Sequence, residues 1–401
     1  MTQSVQIDAD RIDELLTRGV EEVIPYDELK EALLSGRQLR VKLGIDPTSP
    51  DLHIGRAVPL LKLRDFQELG HQIVLIVGDF TAVIGDTSDK ESERPMLSRE
   101  TIEENKKTYF DQAGKILDLS RAEVRYNSEW LEGLTYREIG EHADMFSVAD
   151  FIARENIAKR LQSGKRVSLR EVLYPLMQGY DSVAIQSDVE LGGTDQKFNL
   201  LAGRTMQGKS GQRPQSILMN PLIDGIDGRK MSSSWGNTIP LTATPTDMYG
   251  KVMSMSDASL VPYFRLCTRV SLKEVAAIEE GLATGKVHPK DVKMQLAREI
   301  VALYHGKEAA ESAETAFVQT FSQGGISPET PSISVAAGTM LFEALLSAGV
   351  VASKTESRRL FEEGAISDAL TGEKITDVAA TVIAALTVKV GKRRFLKIET
   401  T

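Results

Sequence analysis

The chain has 401 residues, of which 41% are hydrophobic and 26% are charged, and its net charge is −9. This composition excludes an intrinsically disordered chain, and the length predicts two or three globular domains. This net negative charge argues against a generally basic surface that binds nucleic acid, so any RNA contact must come from local clusters of lysine and arginine.

Cysteine and histidine content bears on metals and on cell compartment. Cys267 is the single cysteine, which excludes an internal disulfide and a cysteine-based metal cage, and the five histidines have no paired ligand spacing. The first residues lack the pattern of a signal peptide, and no apolar stretch approaches the length of a membrane-spanning helix. We therefore predict a cytoplasmic protein with no membrane segment and no tightly bound metal.

The first strand of the sheet is predicted near residues 39–44, after two helical patterns within residues 8–35. A Gly/Pro loop follows the strand, and a helical pattern starts just past His53. A strand, a tight loop and a helix whose amino end faces the loop form a typical nucleotide site in an open α/β sheet. His53 can give a phosphate a hydrogen bond or a charge, Thr48 can give a hydroxyl, and Gly55 leaves room for a base or ribose. A surface histidine in a turn is the alternative for His53 alone.

A second buried strand is predicted at residues 71–78, and it completes a right-handed crossover. Asp86 follows it, where a carboxylate can bind an amino group or a ribose, or can simply cap a helix. The sequence then predicts a long helix over residues 98–117, a strand at 123–127 and two helices within 134–162. This helical insertion between strands is large enough to carry a subunit contact.

Ser168 begins a capping-box pattern, so a helix is expected to start there. Within it, Tyr174, Gln178 and Asp181 fall on one polar line along an otherwise apolar helix. Three different hydrogen-bonding groups in that setting predict a lined pocket, although the proline after Tyr174 can kink the helix and turn its side chain away. Polar residues satisfied at a helix-packing interface are the alternative.

Two polar loops come next. Residues 191–196 form a predicted Gly-rich turn in which Asp195 can accept a hydrogen bond from a ribose hydroxyl. After a last sheet strand at 216–223, the loop 227–237 carries Lys230 and three serines. A mobile cationic loop of this kind can close over a polyphosphate, although such residues in isolation are more often plain solvated loop.

From about residue 246 the pattern predicts helices only, until a Gly/Pro-rich linker at 324–331. The remaining residues have helix signals at 339–348 and 353–363 and strand signals near 365–367, 374–375 and 387–390. They also carry two clusters of basic side chains, one along the second of these helices and one beside Phe395. Such clusters suit an RNA backbone and a stacked base, and a solvated charged face is the alternative. The basic residues are Lys354, Arg358, Arg359, Lys392, Arg393 and Arg394.

These patterns predict an α/β protein with four segments. Residues 1–240 form a Rossmann-like parallel-sheet domain with N-terminal helices and a helical insertion, and residues 241–325 form an all-α domain. Residues 326–333 are a linker, and residues 334–401 form a small α+β domain.

Four motifs in order give the chain a resemblance along nearly its whole length. Asp46-Pro-Thr with His53-Ile-Gly-Arg56 looks like the HIGH signature, and the sequence from Lys230 to Ser234 looks like the KMSKS signature. Residues 174–181 and 192–196 look like a tyrosine and adenylate pocket. The chain thus resembles bacterial tyrosyl-tRNA synthetases, which are class I enzymes. The resemblance implies a homodimer that acts on L-tyrosine, Mg-ATP and tRNA(Tyr), with an anticodon-arm domain at 241–325 and an RNA-binding domain at 334–401.

The resemblance also implies a role for each matched residue. The substrate phenol would donate to Asp181, and the α-ammonium group would be bound by Tyr174, Gln178 and Asp86. Gln196 would lie near the reacting carboxylate. The adenosine end would be held by Asp46, Gly192 and Asp195, the phosphates by Thr48 and His53, and the pyrophosphate by Lys230. Further contacts on the nucleotide side are expected from Gly55, Arg56, Ser232 and Ser233.

Several positions depart from the family pattern. Arg56 stands where the first signature ends in histidine, and Ser233 replaces the second lysine, so positive charge is kept but relocated. Thr87 replaces the usual proline, and Trp235 stands where leucine is common. Lys42 stands where some members have a second phenol-binding tyrosine, which leaves Asp181 as the only phenol ligand that we assign.

Three alternatives follow from these departures and from the fold class. The chain could be a catalytically weakened synthetase relative that acts as an RNA-binding or regulatory protein, as the changes at Arg56 and Ser233 allow. Another adenylate-forming nucleotidyltransferase with the same sheet would not explain the pocket helix together with the basic tail. A tryptophan substrate is disfavoured because Asp181 suits a phenol.

Overall fold

A computed structural model of the chain describes residues 4–86, 96–319, 330–369, 372–391 and 394–400, with Ser234 described by its backbone alone. The chain divides into two compact units, residues 1–307 and 308–401. The boundaries that we predict at 240, 325 and 333 are finer than this division, and they stay predictions.

The first unit is built on a six-stranded sheet in the order β1-β6-β5-β2-β3-β4. The pairs from β6 to β4 are parallel, and β1 joins the edge of β6 antiparallel. The apolar residues of β3 and β6 are buried, as their continuous hydrophobic runs predict. The strands are β1 (Glu22–Ile24), β2 (Arg40–Ile45), β3 (Gln72–Val77), β4 (Ala122–Tyr126), β5 (Val189–Gly193) and β6 (Ser216–Asn220). The predicted α/β class with a parallel sheet is confirmed.

Helices cover this sheet and fill the insertion between β4 and β5. The helix after β2 starts at the predicted loop, and the long pocket helix starts at the predicted capping box on Ser168. The helices of this region are α1 (Ala9–Thr17), α2 (Tyr26–Leu34), α3 (Ile54–Glu68), α4 (Thr81–Ile84), α5 (Arg99–Lys106), α6 (Tyr109–Ala113), α7 (Ser128–Leu131), α8 (Tyr136–Asp144), α9 (Val148–Ile152), α10 (Glu155–Gln162), α11 (Leu169–Ile185) and α12 (Lys197–Lys209).

Three predicted elements of this region are wrong. The helix expected over residues 98–117 breaks into α5 and α6 near Thr108, whose hydroxyl donates to the carbonyl oxygen of Pro50 at 2.7 Å. The stretch 134–162 holds three helices because Ser147 caps a short one, α9. The first half of the Gly-rich turn expected at 191–196 is the end of β5, since Gly192 and Gly193 pair with β6 in parallel register, and only Thr194–Gln196 form a turn, of 3-10 helix.

The first unit continues with four helices, as the pattern after residue 246 predicts. They are α13 (Pro245–Met253), α14 (Leu260–Cys267), α15 (Leu272–Ala283) and α16 (Pro289–His305). Helix α14 contacts α3, and Arg18 after α1 donates to the carbonyl oxygen of Val270 at 2.5 Å. The helical region is therefore packed onto the sheet region within one unit.

The second unit contains a four-stranded sheet in the order β7-β12-β11-β9. Its core includes Leu345, Phe361, Val388 and Leu396. Strands β7 and β12 have no counterpart in the sequence prediction, and Lys374, predicted in a strand, makes only an isolated bridge with Ser367. The elements from the unit boundary onward are α17 (Lys307–Phe317), β7 (Ser332–Val335), β8 (Thr339–Met340), α18 (Leu341–Ser347), α19 (Lys354–Glu362), β9 (Ile366–Asp368), β10 (Thr381–Val382), β11 (Leu386–Val390) and β12 (Arg394–Thr400).

Candidate active site

The candidate site lies at the carboxyl edge of the six-stranded sheet, where the strand order reverses. Strand β2 has β3 on one side and β5 on the other: the chain runs from β2 outward through β3 to β4, and then crosses to β5 and β6 on the opposite side. Open α/β sheets bind ligands in the crevice at such a reversal. The segments that follow these three strands carry Asp46, Asp86 and Asp195, all of them predicted site residues.

Asp46 joins the loop after β2 to the pocket helix α11. Its Oδ1 accepts a hydrogen bond from Thr81 Oγ1 at 2.7 Å, and its Oδ2 accepts one from the Tyr174 hydroxyl at 2.8 Å. Burial raises the pKa of Asp46 to about 6, although both hydrogen bonds act to lower it. A Cβ on Gly78 would overlap Asp46 Oδ1, so only glycine fits there. The resemblance assigns Asp46 to adenosine, and the structure places it against a residue expected to bind the amino acid.

Asp181 is buried on α11, with 3% of its surface exposed. Its Oδ1 accepts from Trp130 Nε1 at 2.8 Å and its Oδ2 from Asn127 Nδ2 at 3.4 Å. Burial raises the pKa of Asp181 to about 7, against the lowering effects of nearby Lys42 and of these two donors. Sequence reasoning missed both donors, and the one available signal was the place of Asn127 at the end of a predicted strand.

A line of amide side chains connects the other predicted tyrosine ligands. Gln196 Nε2 donates to Asp86 Oδ2 at 2.8 Å, and Asn199 Nδ2 donates to Gln196 Oε1 at 3.0 Å. Asn199 Nδ2 also donates to Gln178 Oε1 at 3.0 Å. The structure thus brings Asp86, Gln178 and Gln196 together. Asn199 was missed, although it lies one helical turn after Gln196 on the same side of α12.

His53 caps the amino end of α3. Its Nδ1 accepts from the Arg56 backbone N–H at 3.4 Å, so in the neutral ring the hydrogen is on Nε2. Burial lowers the pKa of His53 to about 3, and the charge of Arg56 adds to the effect. Of the two roles that the sequence leaves open, the structure favours a neutral hydrogen-bond donor over a charge.

Arg56 holds the loop that leads from β2 to α3. Its guanidinium donates to Thr48 Oγ1 at 3.0 Å, to the Asp46 carbonyl oxygen at 3.2 Å and to the Tyr109 hydroxyl at 3.1 Å. The cation that replaces the signature histidine is therefore tied to loop atoms, and it orients the Thr48 hydroxyl. Tyr109 had no sequence signal as a site residue.

Two predicted site glycines allow close packing between site segments. A Cβ on Gly55 would lie 3.1 Å from both His53 Nδ1 and Met231 Sδ. A Cβ on Gly192 would lie 3.1 Å from Leu200 Cδ1. The contact through Met231 brings the first signature against the start of the second, so the two motifs face each other.

Lys230 lies in the loop after β6 and points toward the end of β5. Its Nζ is 3.4 Å from Asp195 Oδ2, and 37% of the lysine side chain is exposed. A half-exposed cation beside a carboxylate, here one that the resemblance assigns to adenosine, is accessible to a phosphate chain that enters from solvent. The structure therefore places Lys230 with Asp195, and both with the carboxyl edge of the sheet.

Asn237 fixes the backbone of the same loop. Its Oδ1 accepts from the Ser232 N–H at 2.8 Å, and its Nδ2 donates to Asp227 Oδ1 at 2.8 Å and to the Lys230 carbonyl oxygen at 3.1 Å. Ser233 begins an exposed single turn, Ser233–Trp235. Sequence reasoning missed Asn237 because its partners are set by the shape of the loop and not by a motif.

The predicted basic residues of the second unit are only partly described, because Lys392 and Arg393 lie outside the described residues, as does Thr87 of the first unit. Lys354, Arg358 and Arg359 are exposed on α19, and Arg394 Nη1 lies 3.1 Å from Glu356 Oε1. Arg358 and Arg359 lie 3.7 Å and 3.3 Å from Glu362 and Glu363, one turn further along the helix.

The described part of the chain offers neither a metal cluster nor a membrane helix. No group of three or more His, Cys, Asp or Glu side chains there could hold a metal ion. No described helix combines the length and apolar character that a membrane crossing needs.

The site combines a parallel sheet whose strand order reverses, a helix capped by a histidine, and a loop that carries a lysine and serines. This combination defines the catalytic unit of a class I synthetase. The family model "tRNA synthetases class I (W and Y)" matches residues 34–322. Tyrosine–tRNA ligases of Moorella thermoacetica and Carboxydothermus hydrogenoformans are each 45% identical, over 96% of this chain and over 95% and 97% of their own. The chain belongs to this tyrosine–tRNA ligase family.

Solved structures share the fold at lower identity. The tyrosyl-tRNA synthetase of Archaeoglobus fulgidus, solved with L-tyrosine, is 22% identical with a TM-score of 0.62, and the match covers 77% of this chain and 100% of that one. The truncated mitochondrial enzyme of Aspergillus nidulans is 20% identical with a TM-score of 0.64, covering 78% and 94%.

Proposed function

We propose that this chain is a tyrosine–tRNA ligase that works in two steps. The carboxylate of L-tyrosine attacks the α-phosphorus of ATP, which gives tyrosyl-adenylate and pyrophosphate. A hydroxyl of the terminal tRNA ribose then attacks the acyl carbon, which gives tyrosyl-tRNA(Tyr) and AMP. The observation that carries this proposal is buried Asp181, held by two donors on the helix that also presents Tyr174 and Gln178.

The pocket suits a phenolic amino acid at both ends. A phenol O–H can donate to the Asp181 carboxylate, whose other hydrogen bonds fix its place. The α-ammonium group can donate to the Tyr174 oxygen, to Gln178 and to Asp86. Asp46 supports binding of the ammonium group because it accepts the hydrogen of the Tyr174 hydroxyl. A lone pair of the Tyr174 oxygen is then directed away from Asp46 and can accept from the ammonium group.

On the nucleotide side, the first step depends more on alignment of the two substrates than on a general base. The tyrosine carboxylate is already a nucleophile, so the chain must orient it and stabilise the charge that develops on the phosphoryl oxygens. Neutral His53 offers Nε2–H, Lys230 offers a charge, and Arg56 holds Thr48 in place. We take ATP as its Mg²⁺ complex, with the metal as part of the substrate, and the reaction as cytoplasmic.

Exchange of labelled pyrophosphate into ATP tests this function. We expect exchange that depends on L-tyrosine and is not supported by L-tryptophan. Folded protein without exchange would favour the catalytically weakened relative that binds RNA. Exchange supported by tryptophan would show that the pocket is misassigned.

We also propose that residues 334–401 bind the RNA, while 241–325 receive the anticodon arm. Arg358→Ala/Arg359→Ala should raise the KM for tRNA by about tenfold, because lysines and arginines at phosphates supply most of such affinity. Tyrosine-dependent exchange should not change. The matched control, Glu362→Gln/Glu363→Gln, removes the carboxylates beside these arginines, and it should leave the KM for tRNA equal or lower. Parallel loss of exchange and charging would contradict a separate role for this unit.

The dimer is proposed to form through the helical insertion. Its helices α8 and α9 leave four large apolar side chains on the surface of the chain: Tyr136, Ile139, Val148 and Ile152. Exposed apolar patches of this kind commonly mark protein interfaces.

Val148→Asp should therefore convert the dimer into a monomer in sedimentation experiments at micromolar concentration, because a charge would be buried in an apolar contact. Ile383→Asp is the matched control, since Ile383 is 80% exposed in the second unit, and it should leave the sedimentation coefficient unchanged. A dimeric Val148→Asp protein would move the interface elsewhere.

A further inference from the structure

A buried ion pair lies beneath the pocket helix, between strands β2 and β5, and the mechanism above gives neither of its two residues a role. Lys42 on β2 and Glu190 on β5 have side chains 0% and 1% exposed, and Lys42 Nζ lies 2.9 Å from Glu190 Oε1. Stability alone explains such a pair poorly, because the desolvation of two ions offsets most of their attraction. The groups that the pair holds in place are therefore the better guide to its role.

Both ions have a full set of partners. Lys42 Nζ also donates to the Gln178 carbonyl oxygen at 3.1 Å and to Ser182 Oγ at 2.8 Å. Glu190 accepts from Gln178 Nε2 at 3.1 Å, from Ser182 Oγ at 3.0 Å and from Gln215 Nε2. All three ammonium hydrogens of Lys42 are used within the protein, so the lysine is not a second ligand of the substrate phenol.

Glu190 ends the line of amides that begins at Asp86. From Asp86 the line runs through Gln196, Asn199 and Gln178 to Glu190. An ionised carboxylate only accepts, so each glutamine must turn its NH₂ toward its own carboxylate and its oxygen toward the Asn199 amide. Charge at the two ends thus selects one of the two amide orientations that shape alone would allow.

We propose that the Lys42–Glu190 pair positions the amino-acid pocket: Glu190 holds the Gln178 amide so that its oxygen, which accepts from Asn199 with one lone pair, can accept from the α-ammonium group of L-tyrosine with the other. This inference rests on the proposed function, which places that ammonium group beside Gln178. Lys42 compensates the Glu190 charge in a dry interior. Gln178 contacts the substrate, whereas Lys42 and Glu190 are positioning residues that act through it.

Two tyrosine analogues separate this role from a general effect on the pocket. Tyramine keeps the ammonium group, and 3-(4-hydroxyphenyl)propionate lacks it, while both keep the phenol. In Glu190→Gln the line loses one carboxylate end, and Gln178 can turn over. Calorimetry should show the Kd of tyramine rising about tenfold or more, as for a lost hydrogen bond to a charged group, while that of the propionate changes less than twofold.

A double variant separates positioning from folding. In Lys42→Met/Glu190→Gln neither charge is left unpaired, so the Tm should recover relative to Glu190→Gln, while tyramine binding stays weak. A purely structural pair would make Tm and affinity recover together. Lys62→Met is the matched control because Lys62 is a buried lysine on α3, 3.3 Å from Asp65 and hydrogen-bonded to Leu15. It should lower the Tm and leave tyramine binding unchanged.

Failure of the positioning role and failure of the proposed function would give different results in these experiments. Equal weakening of both analogues would overturn the positioning role, because the effect would then reach the phenol end. Wild-type protein that binds neither L-tyrosine nor tyramine would overturn the proposed function itself. If Glu190→Gln does not fold, the double variant compared with wild type decides, and unchanged tyramine affinity there overturns the inference.

Discussion

Asp181→Ala is expected to raise the KM for L-tyrosine by about 10²–10³-fold, because a hydrogen bond to a buried charged group is lost and the groups around it are left unpaired. The KM for ATP should change little, since His53 and Lys230, the residues proposed to contact the nucleotide, lie on other segments of the site. Initial rates of pyrophosphate exchange, with each substrate varied in turn, measure both constants. An unchanged KM for tyrosine would show that the phenol binds elsewhere.

Phenylalanine serves as the internal control for this variant. A site built to hydrogen-bond a substrate hydroxyl rejects the analogue without it by about 10⁴–10⁵-fold, a range for which tyrosyl-tRNA synthetases are themselves the reference case. Asp181→Ala should lose most of that ratio through weaker use of tyrosine, with use of phenylalanine little changed. A preserved ratio would mean that shape, not the carboxylate, selects the phenol.

The same carboxylate gives tyrosine affinity a pH dependence in the wild type. Burial raises the pKa of Asp181 to about 7, and only the ionised form accepts the phenol hydrogen. Below pH 7 a proton must leave before tyrosine binds, so affinity should fall toward about one tenth for each pH unit. His53 adds no step in this range, since its pKa is about 3, whereas Asp46, whose pKa is about 6, adds a second fall below pH 6 because its carboxylate accepts the Tyr174 hydrogen. Affinity that rises on acidification would mean that protonated Asp181 donates to the phenol oxygen.

The order of strands and helices around the site follows well from the sequence. Hydrophobic runs marked β2, β3 and β6, and the capping box at Ser168 marked the start of α11. Strand β5 was missed because Gly192 and Gly193 have low strand propensity and are more common in turns. Their pairing with β6 is a tertiary effect that local pattern does not contain.

Motifs predict which side chains belong to the candidate site, but not how those side chains contact one another. Asp46 and Tyr174 share a hydrogen bond across 128 residues of chain, which no spacing predicts. Lys42 looked in the sequence like a lost phenol ligand, and only the fold shows its pairing with Glu190. A buried charge becomes interpretable when its partner is known, and that partner comes from another strand.

Lys230→Ala is expected to reduce the kcat of pyrophosphate exchange by about 10²–10³-fold, as for the loss of one preorganised donor to a transition state. The lysine lies 3.4 Å from Asp195 Oδ2 and is half-exposed, so it can move to the β- and γ-phosphates when ATP is present. Tyrosine affinity should be unchanged, because Asp181 and Gln178, the proposed ligands of the phenol and ammonium groups, belong to a different segment, helix α11. Single-turnover formation of tyrosyl-adenylate measures the effect directly.

Arg229 provides the matched control, since it is the neighbouring cation in the same loop. Its guanidinium is held by Asp227 at 2.5 Å and lies 4.9 Å from the Trp235 ring, so it is committed to the loop itself. Arg229→Ala should therefore change kcat by less than about threefold, the size of a modest surface electrostatic effect. Equal losses in the two variants would mean that the loop contributes general positive charge to ATP binding. A loss confined to Lys230→Ala would mean that the ammonium group of this one lysine acts on the leaving pyrophosphate. The exposed position of Lys230 in the loop allows that contact, and its contact with Asp195 already holds the ammonium group near the end of β5.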